Sequence, residues 1–306
     1  MYSIVSPVYG CRSCLEELCD RIRKVFDQLE ANYEIILVDD KADETTWKTI
    51  ESIANRDDRI KGIELSRNFG QHYAITCGLN YAKGDWIILL DCDLQDVPEE
   101  IPKLIREAEK GFDIVLASRK LRQDSFFKKA SSKLFYKLLS FLTDTKQDHT
   151  VANFGLYRKN TIDAFLKMKD HVRYFPTMIQ WVGFKKTSVE VAHSKRLAGE
   201  SSYSLKKLIS LALNNIISFS DKPLRLTINF GLIISTIAFL IGFYYFILYQ
   251  LGEIVQLGFT SIILSIWFLA GLTFVNLGVI GLYLGKVFEK VKDRPKYIVK
   301  NKVNFD

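Results

Sequence analysis

Two long stretches of the 306-residue chain, 228–249 and 259–285, contain no charged residue. Runs of that kind do not suit the surface helices of a soluble domain, and each is long enough to cross a hydrocarbon core of about 30 Å. The intervening loop, 250–258, carries Glu253 but neither lysine nor arginine. Bases collect on the outer flanks instead, at Lys206, Lys207, Lys222 and Arg225 before the first run and at Lys286, Lys290, Lys292, Arg294, Lys296, Lys300 and Lys302 after the second. This asymmetry predicts a transmembrane hairpin, with the preceding soluble region and both termini on the cytoplasmic side.

Other absences narrow the field. No signal peptide is expected, because a strand is expected to begin at once at Met1-Tyr2-Ser3. There is no internal repeat and no low-complexity segment. Cysteines stand at 11, 14, 19, 77 and 92, but Cys11-x-x-Cys14 has no second pair or histidine cluster to complete a zinc site. A cytoplasmic location predicts free thiols. The formal charge of +7 is concentrated near the apolar runs. That placement fits an anionic leaflet better than a nucleic acid, so no nucleic-acid partner is expected.

Up to about Arg225 the chain alternates strand and helix patterns. Strands are expected over 3–9, 33–38, 61–65, 87–90 and 113–117. Helices are expected over 13–30, 45–54, 71–82 and from Pro98 to 109. Such alternation implies right-handed βαβ units and a mainly parallel sheet. From about Phe126 bases and bulky apolar residues mix at helical spacing, in 127–139 and again in 204–219, as in helices lying in a membrane interface.

The residues with the most chemistry follow Ile87-Ile88-Leu89-Leu90, an apolar run suited to a strand buried on both faces. It leads directly into Asp91-Cys92-Asp93-Leu94-Gln95-Asp96. Ionised carboxylates there are costly unless a positive group neutralises them, and this end of an α/β sheet is where ligands bind. Asp91 and Asp93, with the Gln95 carbonyl as a third donor, suit Mg²⁺ or Mn²⁺ held together with a substrate diphosphate.

Six motifs in order, Pro7-Val8-Tyr9, Val38-Asp39-Asp40, Leu65-Ser66-Arg67-Asn68-Phe69-Gly70, Asp91-Cys92-Asp93-Leu94-Gln95-Asp96, Trp181-Val182-Gly183-Phe184 and Ala198-Gly199-Glu200-Ser201-Ser202-Tyr203, resemble family 2 glycosyltransferases of GT-A fold. More narrowly they resemble the polyprenyl-phosphate glycosyltransferases, the group that includes dolichol-phosphate mannose synthase. Arg294-Pro295-Lys296-Tyr297 fits the bacterial members, which implies an integral inner-membrane protein. The resemblance implies Asp91, Asp93 and Gln95 as holders of the cation. It implies Pro7, Tyr9, Asp39, Asp40 and Asp91 as the lining of a UDP- or GDP-sugar pocket, and inversion at the anomeric carbon by one in-line displacement.

A polyprenyl phosphate acceptor is already anionic at neutral pH, since a phosphate monoester has its second pKa near about 6. It needs cations to position it rather than a strong base. Arg119, Arg122, Lys133 and Arg196 are the candidates; Arg119 and Arg196 best match the family's basic positions and join Asp93 as expected catalytic residues. Two departures separate the chain from relatives: Ala152-Asn153-Phe154 stands where many have Gly-Asp-Phe, and Asp40-Lys41-Ala42-Asp43 where a Gly-Ser form is common. A hydroxyl acceptor is the alternative; it requires a general base, for which Asp96 and Asp148 are the candidates. A further alternative keeps the fold as a membrane-anchored binding module without catalysis. The expected division is a GT-A domain over 1–165, an acceptor-side and juxtamembrane segment over 166–225, two spans over 226–286 and a basic tail over 287–306. Glycines 271, 278, 281 and 285 in the second span permit packing into a homo-oligomer.

Overall fold

The computed structural model describes residues 1–41, 43–119, 151–170, 173–192, 220–251 and 258–305. The strands are β1 (Tyr2–Val8), β2 (Tyr33–Asp39), β3 (Ile60–Leu65), β4 (Trp86–Leu89), β5 (Ile114–Arg119), β6 (Val151–Arg158), β7 (Lys186–Val191) and β8 (Val299–Val303). They form one eight-stranded sheet in the order β7-β5-β6-β4-β1-β2-β3-β8. Pairings β1–β2, β1–β4, β2–β3 and β5–β7 are parallel; β3–β8, β4–β6 and β5–β6 are antiparallel. The result is the mixed α/β sheet of a GT-A-like fold.

Helices α1 (Leu15–Gln28), α2 (Glu44–Ala54), α3 (Gln71–Tyr81) and α4 (Ile101–Ala108) connect the early strands. Alternate strand residues face opposite layers. Ile4, Val8, Ile35, Leu37, Ile88 and Leu90 pack with Leu18, Ile22 and Phe26 of α1, Ile50 of α2 and Leu104 of α4. On the other face α3 lies unusually close to the sheet, because a Cβ on Gly78 would come 2.4 Å from Val5 and 3.0 Å from Val38. Asp43 caps α2 by accepting a hydrogen bond from the Thr46 N–H at 2.7 Å. Gly70, at φ +104°, turns the chain into α3, a conformation an L side chain rarely adopts.

Later elements are α5 (Lys159–Lys167), α6 (Phe175–Trp181), α7 (Lys222–Gln250) and α8 (Phe259–Val291). The stretches 222–245 of α7 and 265–291 of α8 are long and apolar enough to cross a membrane, and in their most apolar windows no described residue is buried. A Cβ on Gly271, Gly278, Gly281 or Gly285 would meet nothing within 4 Å.

The chain divides into two compact units, and the divisions differ from those expected. Of the described residues, 1–119, 151–192 and 294–305 belong to the first and 220–293 to the second. The expected boundary at 165 is not a division, since α6 and β7 continue the first unit and β7 extends the sheet beside β5. The residues after 294 are not a free tail. β8 returns to pair with β3, its register running from Gly62↔Val303 to Leu65↔Val299 with one irregularity. Its Val-Lys-Asn-Lys-Val sequence has the alternation of an edge strand, and Gly62 leaves room for Val303, which a Cβ there would approach to 2.8 Å. The basic-apolar segments 127–139 and 204–219 lie outside the described residues.

Candidate functional site

β2, β1 and β4 are neighbours and parallel, so their carboxyl ends open on one side of the sheet. Beyond β1 come Tyr9, a 61% exposed aromatic, and Gly10 at φ +70°. β2 ends in two buried carboxylates, Asp39 and Asp40. β4 delivers Asp91 and Asp93, both half-buried, on a turn completed by Leu94 at φ +59°. The Gln95 backbone N–H donates to Asp93 Oδ1 at 3.2 Å, which closes that turn locally.

Asp40 is held by the backbone on two sides. Its backbone N–H donates to the Val8 carbonyl at 3.0 Å, locking β2's end to β1. Its carboxylate accepts from the Phe69 N–H at 2.7 Å and from the Gly70 N–H at 2.8 Å. Burial pushes its carboxyl above the ordinary range, opposed by those two N–H donors and by the charge of Arg67. The Arg67 guanidinium in turn lies 4.1 Å over the Phe69 ring. Asp40 therefore holds the loop that enters α3, and the first residue of α3 reaches the other strand end: Gln71 Nε2 donates to Asp91 Oδ1 at 2.8 Å.

Asn153, the chain's departure from Gly-Asp-Phe, lies on β6 two residues before Gly155, which pairs with Leu89 at the end of β4. Asp96 is buried just beneath the carboxylate turn, accepting from the Asp91 N–H at 3.5 Å. Tyr157 is fully buried on β6, its hydroxyl pushed above the ordinary range by burial and then by the Asp96 charge.

Sequence reasoning missed a second cluster at the rim. Glu64, with a side chain only 2% exposed, meets Lys41 at 2.8 Å, Lys300 at 3.2 Å and the Asn301 amide at 2.6 Å. Burial raises its carboxyl, and the hydrogen bonds from Lys41, Lys300 and Asn301 outweigh this and leave it below the ordinary range. Lysines in a basic stretch gave no sign of that partner; the period-2 pattern of 299–303 was the available signal.

Cysteine is a correction. Cys11 and Cys92 form a disulfide with Cα atoms 6.3 Å apart, across 81 residues. Free thiols were expected; these two sit just past the ends of the adjacent strands β1 and β4, which sequence spacing does not reveal. Cys14, Cys19 and Cys77 are free and buried.

Asp91 and Asp93 supply hard oxygen donors at one turn, and among the described residues no group of three His, Cys, Asp or Glu side chains converges on a point. That donor set fits Mg²⁺ or Mn²⁺ completed by substrate diphosphate and water, and does not fit an all-protein cage. Of the acceptor-side residues, Arg119 ends β5 opposite Val191 on β7. Arg122, Lys133, Asp148 and Arg196 lie outside the described residues, as do His149, His171 and His193.

Residues 3–166 match the glycosyl transferase family 2 model, more than half of the chain. The protein belongs to glycosyl transferase family 2. This transferase is 38% identical over 299 residues to the uncharacterized glycosyltransferase YkcC of Bacillus subtilis, covering 97% of this chain and 93% of that protein. It is 35% identical over 304 residues to the undecaprenyl-phosphate 4-deoxy-4-formamido-L-arabinose transferase of Proteus mirabilis (98% and 93% covered). It is 34% identical over 301 residues to a prophage bactoprenol glucosyl transferase homolog of Escherichia coli (97% and 98% covered). The similarity covers nearly the full length of this chain and of each relative, and not the 3–166 region alone.

Proposed function

We propose that the protein is an inverting glycosyltransferase that moves one sugar from a UDP- or GDP-sugar to a polyprenyl phosphate at the cytoplasmic face of a bacterial inner membrane. The observation that carries this reading is the Asp91–Asp93 turn at the shared carboxyl ends of β1, β2 and β4, in a family 2 chain that also has two candidate membrane spans. Relatives of nearly equal length that are named for undecaprenyl phosphate and bactoprenol support the acceptor class.

In this reading Asp91, Asp93 and Gln95 hold Mg²⁺ or Mn²⁺, which when bound neutralises charge developing on the leaving nucleoside diphosphate. Pro7, Tyr9 and Asp39 line the nucleotide pocket. Tyr9 offers an exposed ring at its mouth, and Asp40 shapes it from behind through the 69–70 loop. The N-termini of α1 and α3 follow the ends of β1 and β3 and favour bound phosphate. Arg119, Arg122, Lys133 and Arg196 position the acceptor. An acceptor phosphate oxygen attacks the anomeric carbon, the bond from that carbon to the diphosphate oxygen breaks, and the configuration inverts. No general base is required because the acceptor arrives ionised. The burial of Asp96 and its hydrogen bond from the Asp91 N–H weigh against the hydroxyl-acceptor alternative.

A panel of labelled nucleotide sugars, incubated with undecaprenyl or dolichyl phosphate and the membrane-embedded protein, tests the reading by mass spectrometry of the lipid. The expected product is a single-sugar phosphodiester that disappears with EDTA, with Asp93→Ala reducing its formation at least about 100-fold, the scale of losing an electrostatic stabiliser of the transition state. Absence of product across the whole panel refutes the acceptor assignment. Full activity of Asp93→Ala refutes the metal assignment.

A further inference from the structure

We infer that Gln71 is a positioning residue of the donor site: anchored by Asp40 through the Phe69–Gly70 backbone, its amide fixes the Asp91 carboxylate for cation binding. The inference rests on the metal reading proposed above.

Four observations lead to it. Asp40 is 2% exposed and fastened to β1 by its own N–H, so it is a rigid starting point. Its two carboxylate oxygens accept from consecutive N–H groups, those of Phe69 and Gly70, at 2.7 and 2.8 Å. Charge-assisted bonds of this length are stronger than neutral ones and fix both position and direction of the loop. Gly70 then takes φ +104°, and its carbonyl accepts from Tyr73 and Ala74 at 2.9 and 3.2 Å, which sets the first turn of α3. Gln71 opens that helix, and its side-chain amide spans to Asp91 Oδ1 at 2.8 Å.

The choice of side chain has chemical content. A carboxylate ligand must keep its negative charge and a fixed plane. A lysine at 71 would orient Asp91 while cancelling its charge and competing with the cation. The glutamine amide orients it and remains neutral. Partners of metal ligands commonly contribute 10–100-fold to metal affinity. The relay also joins the two halves of the expected pocket, since Asp40 stands at the end of β2 and Asp91 at the end of β4, with β1 between them.

Gln71→Met keeps the length and apolar stem and removes the N–H donor. On the full-length protein in lipid nanodiscs, Mn²⁺ affinity is read by electron paramagnetic resonance in the presence of UDP and separately of GDP. Nucleotide affinity is read in EDTA, and Tm by thermal unfolding. The expected result is Mn²⁺ affinity at least about tenfold weaker in Gln71→Met, with EDTA-condition nucleotide affinity and Tm unchanged. Wild-type Mn²⁺ affinity in Gln71→Met overturns the positioning role and leaves the metal reading standing. Equal loss of nucleotide affinity in EDTA also overturns it, because the residue would then support the pocket at large. A native protein that binds no Mn²⁺ with either nucleotide removes the metal reading and this role together.

Discussion

At the scale of single residues, His72 illustrates how a neighbour of the site responds to pH. Its ring meets Tyr174 edge-on with centroids 4.8 Å apart, and its Nδ1 is buried without a hydrogen-bond partner. Burial pushes its pKa down to about 4 from an ordinary 6.5. A depressed histidine pKa means the unfolded chain takes up the proton first, so stability is fully present above pH 6.5 and is lost as pH falls toward 4. Thermal unfolding at pH 7 and pH 5 should show the native protein losing more Tm than His72→Phe, which keeps the ring and cannot titrate. Equal losses in both proteins would contradict the burial described for this ring. A second residue-scale expectation concerns thiols. Without reductant, an alkylating reagent should label none of the five cysteines in the folded protein, three after denaturation and five after reduction, counted by intact mass. Cys19 and Cys77 are doubly protected, since burial also pushes their thiols up to about 12. The carboxylates at 91 and 93 were legible because a buried strand running into charge is unusual along one dimension. Gln71 was not, because a glutamine at a helix start is ordinary until the fold brings Asp91 within 2.8 Å of it.

Among elements, the strands and helices up to Arg119 were legible from periodicity, and the differences fall within a residue or two at their ends, except that α4 begins at Ile101, three residues after the expected Pro98. The exception is β8. Five residues with two lysines, beyond a long apolar helix, do not declare themselves as part of a sheet whose other partner, β3, lies more than 200 positions earlier. What secures them is polar as much as apolar. Asn301→Ala removes the donor 2.6 Å from a carboxylate oxygen of a buried glutamate. An unsatisfied buried acceptor of this kind costs about 1–3 kcal/mol. Denaturant unfolding of the soluble unit should register that loss, whereas Lys302→Ala, away from Glu64, should stay within about 0.5 kcal/mol. Because the folded Glu64 carboxyl lies below its ordinary value, its contribution is present above pH 4.5 and is lost as pH falls through the lower, folded value. The later strands β6 and β7 follow the same lesson: their pairings with β4 and β5 were fixed by partners distant in sequence.

For the whole molecule, the apolar helices and the basic flanks make a prediction about sidedness. A cysteine introduced at Glu253, in the loop between the helices, should react with a membrane-impermeant maleimide added to intact cells, and one at Lys300 should react only after permeabilisation. The opposite pattern would reverse the proposed orientation. The family was legible from ordered motifs, four of which sit at the ends of β1, β2, β3 and β4, which the sheet gathers to one side. The acceptor assignments at Arg122, Lys133 and Arg196 rest on sequence position alone. The place of β8 also has a consequence for how the protein is made. A ribosome delivers α7 and α8 before it delivers residues 299–303, so the catalytic sheet stays open along β3 until both apolar helices have left the exit tunnel. During that interval Glu64 lacks Lys300 and Asn301, and an unpaired strand edge is exposed to other chains. Completion of the soluble unit is thereby timed by synthesis of the hairpin, and a chain arrested before β8 is expected to aggregate rather than to accumulate as a soluble enzyme.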